Sequence, residues 1–183
     1  MAGELEGGIT KMAPVTMKLS FRYGSHLPVL LKAVLKTQGD ILELGAGIFS
    51  TPMLHAFSMA QNRNVVTYEN FNRWYRWFSI YEGKRHKVHF INKWEDAVVE
   101  KPWDVVLVDQ TPDEDRIKTI ARLADYAKYI VVHDANEGSN TEKTYHFSKI
   151  YHLFKYRYHY RDVEPNVMVL SNFVDLEGFM ENA

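Results

Sequence analysis

The chain has 183 residues, which is about the length of one domain. Hydrophobic residues make up 46% and charged residues 25%, and the formal charge is −1, so the composition argues against disorder, collagen and coiled coil and gives no bulk attraction to nucleic acid. Cysteine is absent, which excludes disulfides, zinc–thiolate sites, iron–sulfur clusters and cysteine nucleophiles.

The first 14 residues are acidic and rich in glycine. They lack the basic region and apolar core of a secretory signal, so we expect a loose tail at 1–14 and one domain at 15–183. No apolar run approaches the length of a membrane-spanning helix. We therefore expect a cytoplasmic protein that does not engage a membrane.

Short β-branched runs alternate with segments of helical period along the chain. Thr51 and Pro52 fit the N-cap and first position of a helix. In chain order the pattern predicts a helix at 27–36, strand at 40–44, helix at 52–60, strand at 64–68, helix at 72–81, strands at 87–91 and 103–108, helix at 113–125, strand at 128–132, helix at 141–153, and strands at 154–160 and 166–170. We expect an α/β fold with a doubly wound, mostly parallel seven-stranded sheet and a C-terminal antiparallel hairpin.

Ligands of such sheets bind past the carboxyl ends of the strands, so the residues that follow each strand are the candidates for a site. A turn with two glycines follows the first strand and opens a helix, whose N-terminus favours an anionic group. Glu69 and Asn70 follow the second strand, where a carboxylate can accept hydrogen bonds from ribose hydroxyls. The candidate residues of the turn are Glu43, Gly45, Ala46, Gly47, Ser50 and Thr51.

The turn departs from two common nucleotide motifs. A hydride-cofactor fingerprint needs a third glycine where this chain has Ser50, and no Gly-Lys-Ser/Thr follows for a triphosphate. Glu43 stands two residues before the first glycine, where negative charge would repel a pyrophosphate. A ligand with a positive group suits this acid better, and S-adenosylmethionine (SAM), which carries an ammonium and a sulfonium, is such a ligand.

The glycine turn with Glu43, the acid Glu69, the segment around Trp94, and the strand at 103–108 with Asp109 resemble a class I SAM-dependent methyltransferase over residues 20–171. Within that class, the segments 25–28, 50–52, 108–112 and 131–134 are similar to bacterial and phage methyltransferase-like proteins of uncertain substrate. A shorter likeness at 133–136 and 142–145 is to plant glucuronoxylan O-methyltransferases.

This resemblance implies roles for the candidate residues. Glu43, Gly45 and Gly47 would line the methionyl moiety, and Glu69 would hold the ribose. Trp94 and Glu95 would flank the adenine, and Asp109 would lie near the methyl group or the acceptor.

The chain also departs from the pattern of this class. Ile48 and Phe49 replace the third small residue of the glycine loop. No Asn/Asp-Pro-Pro-Tyr/Phe follows the fourth strand, which counts against amino methylation of DNA bases. The absence of cysteine excludes cytosine C5 methylation, and the lysine tetrad of ribose 2′-O-methyltransferases is not evident.

Methyl transfer to a hydroxyl gains from a general base, and His133, with its neighbour Asp134, and Asp109 are the candidates. His133 alternatively ends its strand with a hydrogen bond to the backbone. A divalent metal on Asp109, Asp134 and Asn136 is a second option, because Mg²⁺ prefers oxygen ligands. We favour a site without metal, because Ala135 separates the acid from the amide.

The sequence leaves several alternatives for the methyl acceptor. We expect a hydroxyl of a small molecule or saccharide, with a second copy of the chain as a candidate to complete the site. The segments 71–87 and 143–161 combine basic and aromatic residues, which suits a nucleic-acid acceptor, although a solvated basic face explains them too. A protein that binds SAM without catalysis, as an accessory subunit, is the third hypothesis.

Overall fold

A computed structural model describes residues 20–181, so the predicted tail at 1–14 lies outside the described residues. In chain order the helices and strands are α1 (Leu27–Leu35), β1 (Ile41–Leu44), α2 (Ser50–Ala60), β2 (Val65–Glu69), α3 (Asn72–Phe78), β3 (His86–Phe90), β4 (Trp103–Val108), α4 (Arg116–Leu123), β5 (Ala127–Val132), α5 (Ser139–Tyr145), β6 (Tyr156–Tyr160) and β7 (Val167–Ser171). Short 3-10 turns lie at Phe21–Gly24, Ser79–Tyr81, Trp94–Asp96, Asp113–Asp115, Phe147–Lys149 and Tyr151–Leu153.

The seven described strands form one sheet in the order β3-β2-β1-β4-β5-β7-β6. The pairs among β1 to β5 are parallel, whereas β7 runs antiparallel to both β5 and β6. The predicted sheet with a C-terminal antiparallel hairpin is therefore confirmed. The chain moves outward from β1 to β3 and then returns to β4 beside β1, so the topological switch point lies between β1 and β4.

Both faces of the central strands are buried, which explains their continuous apolar runs. Leu42 and Val106 point into one core with Leu123 of α4. Ile41 and Val105 point into a second core on the opposite face with residues of α1 and α2. Because helices cover both faces, the ends of the strands are where a ligand can reach the sheet.

Two local predictions were wrong. The helix predicted at 141–153 ends at Tyr145, because His146 adopts a left-handed backbone (φ 55°), and two 3-10 turns follow. This break lets Phe147 and Ile150 pack in the core. Thr51 is not an N-cap, since α2 already begins at Ser50.

Among residues 20–181, no helix combines the length and the apolar character that crossing a bilayer requires.

Candidate active site

A cavity of about 790 Å³ opens at the carboxyl ends of the strands. Its volume falls in the usual range for ligand sites, about 300–1,000 Å³. Its walls come from the segments that follow β1, β2, β4 and β5, and residues of the first 3-10 turn and Pro165 complete it. The cavity thus lies at the topological switch point, where the sequence analysis places a candidate ligand site.

Glu69 joins the glycine turn to the segment after β2. Its Oε2 accepts a hydrogen bond from Ala46 N (2.9 Å), and its Oε1 accepts one from Phe71 N (2.6 Å). Burial raises the pKa of Glu69, although these backbone hydrogen bonds oppose the shift. Five of the predicted cofactor residues therefore meet at one cavity wall, namely Gly45, Ala46, Gly47, Glu69 and Asn70.

Glu43 lies beneath the glycine turn and not at the cavity wall, because its side chain is fully buried. The hydroxyls of Thr51 (2.9 and 3.0 Å) and Thr67 (2.7 Å) donate hydrogen bonds to its carboxylate. Thr51 in turn accepts a hydrogen bond from Gly47 N (2.9 Å). Glu43 and Thr51 therefore shape the turn from inside, which differs from the predicted contact with a ligand.

Replacing Glu43 with glutamine should make the stability of the folded chain less sensitive to pH. Burial raises the pKa of Glu43 from 4.5 to about 7, so the folded chain keeps a proton that the unfolded chain has already lost. The free energy of unfolding of the native chain therefore falls as pH rises from 4.5 to 7, by roughly 3 kcal/mol from this group. Glutamine does not titrate, so the free energy of unfolding of Glu43→Gln should rise relative to that of the native chain by about this amount between pH 5 and pH 8. Urea unfolding at the two pH values measures this difference.

Glu177→Gln is the matched control, because Glu177 is exposed. Its stability relative to the native chain should be the same at both pH values. A difference between Glu43→Gln and the native chain that also stays constant with pH would contradict the assignment of this titration to Glu43.

Three further predicted cofactor residues do not line the cavity. Ser50 is fully buried in the first turn of α2. Trp94 is buried in the core, and its Nε1 donates a hydrogen bond to the carbonyl of Thr111 (2.8 Å). Glu95 is exposed to solvent. The role of Trp94 is therefore structural, because its indole ring packs in the core and its only polar side-chain atom bonds a backbone carbonyl.

Asp109 and His133 are brought together across the ends of β4 and β5. His133 Nδ1 lies 3.0 Å from Asp109 Oδ1, and both residues line the cavity. Burial would raise the pKa of Asp109, but the hydrogen bond from His133 and the charges of His133 and Arg116 together lower it. Burial likewise opposes charge on His133, yet Asp109 and Asp134 raise the pKa of the imidazole above its ordinary value.

The neighbours of His133 place protons on both ring nitrogens. Nε2 faces the carbonyl of Arg22 (3.3 Å) and Ser25 Oγ (3.0 Å), whose own proton is donated to the carbonyl of Pro165 (2.8 Å). Nε2 must therefore donate, and Nδ1 faces the Asp109 carboxylate. The imidazole is thus held as a double donor, which does not suit the predicted role of general base.

Arg116 is a central residue of the site that the sequence did not reveal. Its side chain is 3% exposed and lies between Asp109 (3.1 Å), Asp134 (3.4 Å) and Asp113 (3.7 Å). It also donates to the carbonyls of Gln110 (2.8 Å) and His133 (2.9 Å). Arg116 therefore fixes the two strand ends and balances their carboxylates.

The oxygen ligands considered for Mg²⁺ are not gathered into one site. The guanidinium of Arg116 occupies the place between Asp109 and Asp134. Asn136 bonds elsewhere, because its Nδ2 donates to Glu164 (2.8 Å) and its Oδ1 accepts from Asn166 N (2.6 Å). Because Arg116 lies between the two carboxylates and Asn136 bonds elsewhere, this set of three oxygen ligands has no geometric support.

The two basic and aromatic segments lie far apart in the sheet order. The segment 71–87 contains α3, which packs on β2 and β3 at one edge, whereas 143–161 contains β6 at the opposite edge. Some of their cations contact rings within their own segment, as Arg73 does with Trp77 and Arg157 with Tyr151. The segments therefore do not form one continuous basic face.

Comparison with solved structures finds this fold in proteins of low sequence identity. Cofactor-bound Rv0187 from MTB is 17% identical with a TM-score of 0.63, over 86% of this chain and 83% of its own. The SAH-bound methyltransferase PaMTH1 of Podospora anserina is 16% identical with a TM-score of 0.61, over 86% and 80%. Human methyltransferase-like protein 13, in complex with SAH, is 13% identical with a TM-score of 0.53, over 88% and 91%.

No protein-family model and no curated protein matches the sequence. The likeness to solved structures therefore concerns the fold, which is the Rossmann-like fold of class I methyltransferases. The fold predicted from the motif residues is confirmed.

Proposed function

We propose that this protein binds SAM in the cavity and transfers its methyl group to a hydroxyl of a small molecule or saccharide. The observation that carries the proposal is the junction of the glycine turn with Glu69, in a cavity at the switch point of the sheet. The shared fold with SAH-bound methyltransferases supports it.

The residues of the cavity fit the chemical groups of SAM. Each carboxylate oxygen of Glu69 accepts one backbone hydrogen bond, which leaves lone pairs for the two ribose hydroxyls. The glycine turn lets a ligand approach the backbone closely. Carboxylates at Glu69, Asp109, Asp113 and Asp134 favour the positive sulfonium and ammonium.

Aromatic side chains at the cavity wall suit a cyclic acceptor. Tyr23, Phe71 and Trp74 line the cavity, and Phe71 and Tyr23 are more than half exposed. Rings of this kind pack against the flat, partly apolar faces of sugars and aromatic compounds. A small-molecule or saccharide hydroxyl is therefore our proposed acceptor.

We assign the removal of the acceptor proton to Asp134. When bound, SAM supplies a methyl group already activated by a positively charged sulfur. Asp134 lines the cavity. Arg116 contacts Oδ2 of this carboxylate and not Oδ1, so Oδ1 is left to accept the proton. His133 and Arg116 both donate hydrogen bonds to Oδ1 of Asp109. These bonds fix the orientation of the Asp109 carboxylate at the cavity wall beside Asp134.

Asp134 also has an unusual backbone that suits a functional residue. Its φ of 55° lies in the left-handed region, which costs energy for a residue other than glycine. This conformation and the hydrogen bonds of Arg116 fix the direction of the carboxylate. A base that is already fixed in position speeds the transfer, because the base and the acceptor hydroxyl need no rearrangement before the proton is removed.

Replacing Glu69 with alanine should abolish most of the affinity for SAM. The change removes two charge-assisted hydrogen bonds to the ribose, each worth about 1.5–3 kcal/mol, so the Kd should rise at least 100-fold. Isothermal titration calorimetry with SAM, SAH and NAD measures this. The native chain should bind the first two ligands and not NAD.

Glu95→Ala provides the matched control, since Glu95 follows the neighbouring strand but is exposed and does not line the cavity. Its SAM affinity should equal that of the native chain. Thermal unfolding of both variants verifies that they are folded. Equal SAM affinity of Glu69→Ala and the native chain would overturn the assigned role of Glu69.

A further inference from the structure

His26 is a buried histidine without a hydrogen-bond partner. It precedes α1 and is 1% exposed, and neither ring nitrogen has a partner within the described part of the chain. An unpaired buried polar group costs about 1–3 kcal/mol, so its presence calls for a physical reason such as a bound ion.

Two other potential ligands lie next to His26. One ligand atom each from His26, Asp109 and His133 falls within 4.8 Å of the others. The rings of His26 and His133 meet edge to face, with centroids 4.8 Å apart. Three potential ligands, from the residue before α1 and the residues after β4 and β5, therefore lie close together, with Asp109 and His133 at the cavity wall and His26 behind them.

The surroundings of His133 and Asp109 resemble the support that metal ligands receive. His133 Nε2 donates to the carbonyl of Arg22 and to Ser25, which fixes the ring and directs Nδ1 to Asp109. Ligating histidines commonly donate their other nitrogen to such a group. Asp109 Oδ1 accepts hydrogen bonds from both His133 and Arg116, whereas its Oδ2 accepts none from residues 20–181.

We propose that His26, Asp109 and His133 form a binding site for a divalent transition-metal ion of the zinc type. Two imidazoles and one carboxylate suit such ions, whereas Mg²⁺ and Ca²⁺ prefer oxygen ligands. Binding displaces the proton of His133 Nδ1 into solvent and leaves the Nε2 hydrogen bonds intact.

The position of the site shows how an ion would reach it and which way the free coordination positions would face. Asp109 and His133 line the cavity, whereas His26 lies behind them, so an ion enters from the cavity and keeps its open positions on that side. An oxygen of a cavity ligand could then complete the coordination. The site shares Asp109 and His133 with the wall of the proposed SAM cavity but does not include the glycine turn or Glu69, so metal affinity and SAM affinity can be measured separately.

The test uses the purified full chain, treated with a chelator and then titrated with Co²⁺, whose visible absorption reports coordination by nitrogen and oxygen. We expect saturation at one equivalent per chain and displacement of Co²⁺ by Zn²⁺. His26→Phe keeps a ring in the buried space and removes both unpaired nitrogens, so it should stay folded. Removal of supporting partners costs about 10–100-fold in metal affinity, so loss of this ligand should cost more than 100-fold.

His89→Phe is the control, because His89 is exposed on β3 and away from the cavity. It should bind Co²⁺ like the native chain. Equal Co²⁺ binding by native chain and His26→Phe, or no saturable binding by the native chain, would overturn the proposal. Calorimetry with SAM on the same samples separates this outcome from failure of the proposed function.

Discussion

Replacing Arg116 with methionine is expected to lower the free energy of unfolding by about 3–5 kcal/mol at neutral pH. Methionine keeps much of the buried volume but removes the cation between Asp109, Asp113 and Asp134. These carboxylates would then repel one another at the ends of β4 and β5. Urea unfolding at pH 7 measures the loss.

The same variant should recover at low pH. The hydrogen bond from His133 and the charges of His133 and Arg116 lower the pKa of Asp109 in the native chain, so without the guanidinium Asp109 keeps its proton to a higher pH and acid reduces the repulsion in the folded chain. The difference in stability between the native chain and Arg116→Met should therefore shrink as pH falls from 7 to 4. A difference that stays constant with pH would show that lost packing, and not charge, causes the effect.

Lys118→Met is the matched control on the same helix. Lys118 pairs with Asp115 at 2.6 Å, but its side chain is 63% exposed. Water screens this pair and competes for both charges, so the pair adds little to stability. We expect Lys118→Met to unfold at nearly the same urea concentration as the native chain, and a loss as large as that of Arg116→Met would contradict the argument from burial.

The sheet could be predicted because its strands carry their signal locally. The run of apolar residues at 103–108 indicates burial on both faces whichever strands lie beside it, and the glycine turn after 40–44 marks the carboxyl end of its strand. The segment 141–153 shows the limit of this reasoning. Its helical period is real, but His146 breaks the helix so that Phe147 reaches a core formed by distant residues.

The cavity wall that we propose to bind SAM could be predicted in part for the same reason. Gly45, Ala46 and Glu69 follow directly from strand ends, and the structure places them together. Trp94 also follows a strand end, yet its ring is turned into the core. Position along the chain fixes which residues stand near the switch point, whereas the direction of a side chain depends on neighbours that no local pattern reveals.

Arg116 and His26 could not be found from the sequence, because their importance depends on contacts across long distances in the chain. Arg116 lies in a segment of alternating charge that is typical of an exposed helix, but three carboxylates and two carbonyls surround it. His26 stands in an ordinary apolar helix start. His26 is buried against His133 because it precedes α1, which packs on β4 and β5.

Replacing Gly45 with alanine should destabilise the chain by more than about 2 kcal/mol and abolish SAM binding. Gly45 has a φ of +92°, which side chains rarely adopt. A Cβ at this position would lie 2.4 Å from the backbone oxygen of Asp109, so the ends of β1 and β4 would have to separate. Separation would displace the glycine turn and Asp109 together. Urea unfolding and calorimetry with SAM measure the two effects.

Gly83→Ala is the matched control for this change. Its φ is not in the left-handed region, and an added Cβ would meet no atom within 4 Å. Alanine restricts the unfolded chain more than glycine does, so this variant should be as stable as the native chain or up to about 1 kcal/mol more stable. If Gly45→Ala were as stable as Gly83→Ala and bound SAM, the close approach of β1 and β4 would not be what forms the cavity.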